Sequence, residues 1–398
     1  MRQLEAQAVA AQTQRVVSVD ALRGFNIFWI LGADATIWSF NEMVHDKGPV
    51  LSAAGSFLNT QMTHVAWEGF RFYDFIFPLF IFVAGVAIVL SLPRLVEREG
   101  KAQAYARVFR RALILYGLGL IFYGGISRHW GDVRLVGVLQ RIALCYLCAS
   151  LLFLNFRARG IVVALVVLLA GYWAMMTFVP VPGVGAGSFA SDANLANWID
   201  ANYLPGWKWD LTRDPEGLLS TLPAIASCLL GVLAGLLLAD PRLQGTQKSL
   251  LLIACGIPLT SAGYLWGLQF PIVKVIWTSS FVLVAGGYSL ILLGVWHQII
   301  DVWGYQRWAA VFIWLGANAI TLYFINNVTA DQFALRFSGD TVSTFELFAT
   351  RFIGGDFAAL LDRLMTPGTG TFVVRMLGLI FAILLARFLY GRKIFLRV

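Results

Sequence analysis

THVAWEGFRFYDFIFPLFIFVAG, residues 63–85, changes character halfway. Up to Asp74 it holds a histidine, four aromatic rings, a glutamate, an arginine and an aspartate; from Phe75 onward it is wholly apolar. Continued to Leu92, the apolar part has the roughly 20 residues that a helix needs to cross a hydrocarbon core of about 30 Å. A run of this length, entered through titratable groups, makes the chain a membrane protein with something to do at the mouth of a helix.

The same signal recurs outward from that stretch. The 398 residues are 59% hydrophobic and 13% charged, with a mean hydropathy of +0.73, too little polar surface for a water-soluble domain. Apolar runs of spanning length lie near residues 21–43, 70–92, 108–127, 134–155, 160–180, 217–239, 249–268, 276–300, 308–329 and 371–391. The sequence therefore predicts an all-α polytopic membrane protein with about ten transmembrane helices in a single bundle. Residues 341–365 are amphipathic and charged, which suits an interfacial or re-entrant element. Residues 1–18, polar and without a signal-peptide core, are expected to be a cytoplasmic segment, and residues 19–398 the bundle, with no soluble domain on either side.

Short cytoplasmic loops hold an excess of Lys and Arg. Arg94, Arg98, Lys101, Arg107, Arg110, Arg111, Arg157, Arg159, Arg242, Lys248, Arg307, Arg392 and Lys393 fall on one side of the predicted bundle. That side is expected to be cytoplasmic, with the N- and C-termini on it, and loops 44–68, 181–216 and 330–370 then lie outside. The net charge of +8 is a topology signal; the partner it implies is the lipid bilayer, with no nucleic acid. Cys145 and Cys148 form a CxxC on an apolar helix without a second Cys or His pair, so packing is expected and no metal. Gly231 and Gly235 read as close helix packing, and such small-residue faces are compatible with a homodimer.

Ionisable groups inside a span cost roughly 3 kcal/mol each and are functional candidates when they face the bundle interior. Asp34 stands about 16 Å beyond Arg23 along the first helix. Gln140 and Arg141 lie in GVLQRIALCY, and Asp74, His297, Asn318, Asn326 and Asn327 complete the set. For an Asn or Gln the alternative is an interhelical hydrogen bond; for Arg23, Arg107, Arg110 and Arg111, at cytoplasmic helix ends, it is snorkelling and the positive-inside bias. His64 stands apart. An imidazole exchanges a proton near neutral pH, and Asp74, ten residues later, is placed to orient the ring. In the second outer loop, Trp207 and Trp209 suit either stacking on a sugar or the aromatic belt of a membrane interface.

Several blocks, in order, carry a family resemblance: SVDALRGFNIFWILGADA, HVAWEGFRFYDFIFP, VRLVGVLQRIALCY, DPEGLLSTLPAIASCLLGVLAG and PIVKVIWTSSFVL. Together they run from about residue 15 to 330, and the chain resembles the transmembrane acetyltransferases typified by heparan-α-glucosaminide N-acetyltransferase and their bacterial relatives. The family's functional histidine falls on His64. A family asparagine falls on Asp34, a departure, and the large luminal domain of the lysosomal enzyme has no counterpart here.

The resemblance implies transfer of an acetyl group from cytosolic acetyl-CoA to the amino group of glucosamine or a terminal glucosaminide on the far side, in a bacterial inner membrane. Only a free amine attacks a thioester, so a base is required: His64, with Asp34 and Asp74 positioning imidazole or amine, through direct transfer or an acetyl-histidine. Coenzyme A phosphates call for guanidinium groups, and Arg23, Arg110, Arg111, Gln140 and Arg141 are the candidates. Asp214, Glu216, Lys274 and Trp277 are candidates for the amino-sugar acceptor. A continuous polar passage through the bundle is expected to join the two sides. The alternative function is an amino-sugar transporter without acyl transfer, which predicts internal repeats with broken helices; none is visible in the sequence.

Overall fold

The computed structural model describes residues 16–123, 125, 129–331 and 343–395. Most of the expected N-terminal segment, and residues 332–342 of the 330–370 loop, lie outside the described residues. Helix α1 (Val17–Phe28) passes through a π turn at Trp29–Ala33 into α2 (Asp34–Val44). The turn occurs at Gly32, whose φ of 127° is open to glycine and closed to ordinary side chains. Helix α3 (Pro49–Gln61) lies within the 44–68 loop. Helix α4 (Phe72–Phe122) is a run of 51 residues, far too long for one crossing, and it turns at Gly100 (φ 85°). Then come α5 (Val138–Asn155), α6 (Ala158–Phe178), a two-residue hairpin of β1 (Phe189–Ala190) and β2 (Ala193–Asn194), and α7 (Leu195–Tyr203). The rest is α8 (Thr221–Ala239), α9 (Gly245–Gly267), α10 (Ser279–Trp296), a π turn at His297–Val302, α11 (Ala310–Ala317), α12 (Ala319–Asp331), α13 (Thr344–Ile353), α14 (Gly355–Leu364) and α15 (Thr369–Gly391).

Among the described residues, seven helices are long and apolar enough to cross a membrane: α4, α5, α6, α8, α9, α10 with its π turn, and α15. The chain is an all-α, integral, multi-pass membrane protein. The seven differ from the ten apolar runs of the sequence for local reasons. Runs 70–92 and 108–127 merge into α4. Runs 21–43 and 308–329 are cut, at Gly32 and at Asn318 (φ −127°, ψ 30°), into pieces shorter than a span. The amphipathic stretch after residue 343 forms two short helices, and α14 buries none of its side chains.

Lipid tails are as apolar as leucine, so helices in a membrane hold together by close contact more than by burial. Glycines supply that contact here. A Cβ on Gly231 of α8 would sit 1.9 Å from the Phe82 carbonyl oxygen, and one on Gly85 of α4 would sit 2.0 Å from that of Cys228. The backbones of α4 and α8 therefore touch, with Leu79, Val86, Ala224 and Leu229 buried around the contact. Gly24 and Gly316 do the same for α1 and α11, each standing where a Cβ would strike the other helix's carbonyls at 1.7 and 1.9 Å.

The start of α1 is capped from afar: Val17 N and Ser18 N donate to the Asp301 carboxylate at 2.8 and 3.1 Å. Helix α15 begins against Met43, at the far end of α2, and runs back until Arg387 lies over the Trp314 ring of α11. The described chain thus starts and finishes at the same end of the bundle.

Candidate active site

Asp74 occupies the third position of α4, where backbone amides have no helical partner. Its Oδ2 accepts from Arg71 N at 3.1 Å and from Val65 N at 3.3 Å. Oδ1 is left for the ring of His64, whose Nδ1 lies 2.8 Å away. A carboxylate only accepts, so Nδ1 carries the proton and Nε2 keeps its lone pair. The Asp74 side chain is 1% exposed and that of His64 is 51% exposed; an accessible base is oriented from beneath by a buried acid. Arg71 fixes the approach loop, its Nη1 donating to Thr63 Oγ1 at 3.0 Å and to the His64 carbonyl at 3.3 Å.

Asp34 joins this group indirectly. The Tyr73 ring lies 4.8 Å from the His64 ring, and its hydroxyl donates to Asp34 Oδ2 at 2.5 Å, while Asp34 Oδ1 accepts from Ala35 N. The break at Gly32 sets Asp34 at the head of α2, turned toward Tyr73.

Lys274 comes from 210 residues away. Its loop is sewn to the histidine loop by the antiparallel bridge of Glu68 and Val273 and by Gly69 N donating to the Ile272 carbonyl at 2.9 Å. The ammonium nitrogen stands 2.9 Å from Nδ1 and 3.1 Å from Nε2 of His64, and 3.5 Å from Asp74 Oδ1. Burial pushes this ammonium below the ordinary lysine range, opposed by the negative charges of Asp74 and Glu216.

Asp214 and Glu216 have a partner that the sequence did not reveal. Arg134 Nε and Nη2 grip Asp214 at 2.8 and 2.6 Å, and Nη2 also reaches Glu216 Oε2 at 2.6 Å. The guanidinium is packed against the rings of Tyr123 and Trp209. Asp200 ties down the backbone of the same segment, accepting from Leu218 N at 2.9 Å and Asp214 N at 3.4 Å. Burial raises both Glu216 and Asp200 above the usual carboxylate range, the latter to about 6. Asp214 is thus a buried ion-pair partner of Arg134.

Trp277, another candidate for the acceptor, is 1% exposed, donates from Nε1 to Ser227 Oγ at 3.0 Å, and packs edge-on against Phe77. Arg141, expected on the coenzyme path, is buried beneath the DPEG segment, bonded to Ser220 Oγ and the Gly217 carbonyl and stacked over Trp277. Gln140 is buried beside Gly119 and Gly137.

The remaining arginines do converge. A cavity of about 730 Å³ opens among Arg23, Arg107, Arg110 and Arg111, with Tyr146 and Asn318 on its wall. Arg111 stacks over Tyr146 at 4.7 Å. Its Nε and both polar atoms of the Asn318 side-chain amide are buried without a hydrogen-bond partner, which is what a wall awaiting a polar ligand presents. Phe80, Ile142, Ala319 and Ile320 line this cavity and also a neck of about 30 Å³ that continues past Ile27 and Phe77 to Tyr323. From Ser91 on the cavity wall to Asp74 is 17 residues of α4, about 26 Å. Where a continuous polar passage was expected, the described residues show a basic vestibule and, adjoining it, a small apolar constriction. No group of three His, Cys, Asp or Glu placed to hold a metal occurs among the described residues.

Sequence reasoning missed Tyr73 and Arg134 as site residues and weighed Arg107 with the helix-end arginines but left it out of the coenzyme set. Tyr73 lay in plain view inside the 63–85 stretch. Arg134 was hidden because its partners are 80 and 82 residues away.

Heparan-alpha-glucosaminide N-acetyltransferase of Homo sapiens is 27% identical over 330 residues, covering 68% of this chain and 49% of the relative. The Mus musculus protein of the same name is 27% identical over 331 residues, covering 68% and 50%. The chain spans about half the length of these curated relatives. The family described as "Heparan-alpha-glucosaminide N-acetyltransferase, catalytic" matches residues 15–256; these include His64, Tyr73, Asp74, Arg134 and the vestibule arginines, while Lys274, Asn318 and Tyr323 lie beyond. With more than half of its length matched, the chain belongs to the heparan-alpha-glucosaminide N-acetyltransferase catalytic family.

Proposed function

We propose that the protein moves the acetyl group of acetyl-CoA, entering from the cytoplasm, to the amino group of glucosamine or a terminal glucosaminide on the opposite side of the membrane. The observation that carries this reading is the two-ended arrangement along α4: a basic vestibule at one end, an oriented imidazole at the other, and a neck between them. In this topology both termini are cytoplasmic, and residues 19–398 form one catalytic bundle with loops 44–68, 181–216 and 330–370 outside.

Each part matches a part of the donor. The phosphates of coenzyme A suit the guanidinium groups of Arg23, Arg107, Arg110 and Arg111. The uncharged pantetheine arm and its thioester suit an apolar neck, which needs no buried charge. At the far end, Nε2 of His64 takes the proton of the acceptor's ammonium, and the free amine attacks the acetyl carbonyl. A C–N bond forms, the C–S bond breaks, and coenzyme A leaves as the thiol. Asp74 fixes the tautomer and balances the imidazolium; Tyr73, held by Asp34, backs the ring. Glu216 supplies negative charge on the acceptor's side.

Radiolabelled acetyl-CoA and glucosamine, given to purified protein in detergent, test the reading. Acetylated sugar is expected from the intact chain and not from His64→Ala. Glucosamine uptake into proteoliposomes without acetyl-CoA, unchanged by that substitution, would establish the transporter instead; the apolar neck speaks against it, because a hydrated amino sugar has no polar route there.

A further inference from the structure

In this structure an amine of the protein already stands where an acceptor amine is needed. An amine that gives its proton to His64 must come within hydrogen-bonding distance of Nε2, and Lys274 Nζ lies 3.1 Å from Nε2 and 2.9 Å from Nδ1, within reach of both ring nitrogens. We propose that Lys274 is the protein's own acetyl acceptor: without amino sugar, acetyl-CoA acetylates its Nζ and thereby shuts the site. The proposal rests on the transferase reading given above, since the same donor and base are used.

Three features hold the amine in place. The loop is anchored on both sides. Val273 N donates to Thr278 Oγ1 at 3.1 Å, and Trp277 is kept at φ 51°, a conformation that a bulky residue retains only when its surroundings enforce it. The buried ring of Trp277, bonded to Ser227, supplies that enforcement. Next, the Lys274 side chain is only 21% exposed, so its nitrogen is held against the ring more than it samples solvent. Finally, burial disfavours the charged form, which brings the nucleophilic free amine within reach.

The chemistry balances as in the sugar reaction. The ammonium gives one proton to Nε2, the free amine attacks the acetyl carbon, the C–N bond forms and the C–S bond breaks. One of the amine's remaining protons ends on the coenzyme A thiol and the proton on the imidazole passes to solvent. The product is a neutral amide where an ammonium had faced Asp74, with an acetyl group filling the space of the acceptor amine. Acetyl-CoA alone is therefore a slow inactivator, and amino sugar, by displacing Lys274 from Nε2, protects.

Purified full-length protein in detergent is incubated with acetyl-CoA, with and without glucosamine, and acetylation is followed peptide by peptide by mass spectrometry alongside sugar product. Acetylation of Lys274 about 100-fold faster than of exposed Lys47 and Lys393 is expected from proximity and base assistance, suppressed by glucosamine and absent in His64→Gln. Acetylated glucosamine without preferential modification of Lys274 would overturn the inference and leave the transferase standing. Modification at an equal rate in His64→Gln would also overturn it, as uncatalysed chemistry. Absence of both products would remove the transferase reading with it, whereas labelled Lys274 without sugar product would support the inference and assign the site a different acceptor.

Discussion

Replacing Asp74 by Asn keeps the shape of the group behind His64 and removes its acceptor-only character. Two backbone N–H groups, from Val65 and Arg71, point at Oδ2, so the amide oxygen of Asn must face them and the NH2 must face the ring. Nδ1 then has to accept, the proton moves to Nε2, and the atom aimed at the acceptor is no longer a base. The opposite rotamer sets the NH2 against two buried amides. Lys274, 3.5 Å from Oδ1, also loses its counter-charge. In hydrolases whose orienting aspartate is changed in this way, kcat falls about 10⁴-fold, and a drop of about 10³- to 10⁴-fold, about 4–5 kcal/mol of barrier, is expected here. KM for acetyl-CoA should stay within about twofold, because the Ser91 wall of the vestibule lies about 26 Å away along α4. Initial rates of thiol release on glucosamine, together with a thermal melt showing that the variant is folded, measure both. A folded Asp74→Asn protein with kcat within about tenfold of the parent would refute the assignment of Asp74 as the orienting acid.

Arg110→Ala and Arg111→Ala should each raise KM for acetyl-CoA about tenfold, the worth of one charge-assisted contact of about 1.4 kcal/mol, with kcat unchanged and the effect shrinking in high salt; steady-state kinetics at two ionic strengths decide. Gly231→Leu forces side-chain atoms into the Phe82 backbone and should cost about 2 kcal/mol or more, read as a lower melting temperature in detergent. Asp200 carries a folded-state value of about 6 against an ordinary 3.8. The fold holds this proton more tightly than the unfolded chain, so the contribution is full below about pH 4 and is lost as pH rises through about 6. The loss amounts to about 3 kcal/mol. Melting temperatures from pH 4 to pH 7 should therefore fall more for the parent than for Asp200→Asn, and parallel curves would show that Asp200 is not the group responsible.

What the sequence could show depended on distance along the chain. His64 and Asp74 are ten residues apart, flank one helix start, and their pairing was legible from spacing alone. Of the vestibule arginines, Arg23, Arg110 and Arg111 were legible as coenzyme candidates, and Arg107 was not singled out although it shares a helix face with Arg110 and Arg111 at spacings of three and four. Lys274 was assigned to the acceptor's side but not to the imidazole, since nothing local reports a contact across 210 residues. For the same reason Asp214 read as an open carboxylate when it is the buried partner of Arg134. The apolar runs were correct as composition and incomplete as geometry: hydropathy carries no trace of the backbone reversal at Gly100 or the breaks at Gly32 and Asn318, which come from dihedral angles and unpaired backbone groups.

The most direct measurement is an electron cryomicroscopy map of the protein with a non-transferable acetyl-CoA analogue. Phosphate density among Arg23, Arg107, Arg110 and Arg111, with the acetyl carbonyl brought through the Phe77–Tyr323 neck into the space beside His64, about 3–4 Å from the place of the attacking amine, is the expected result. Coenzyme bound at the face that carries His64, or a thioester halted in the vestibule on the far side of Phe80, would contradict transfer across the bundle.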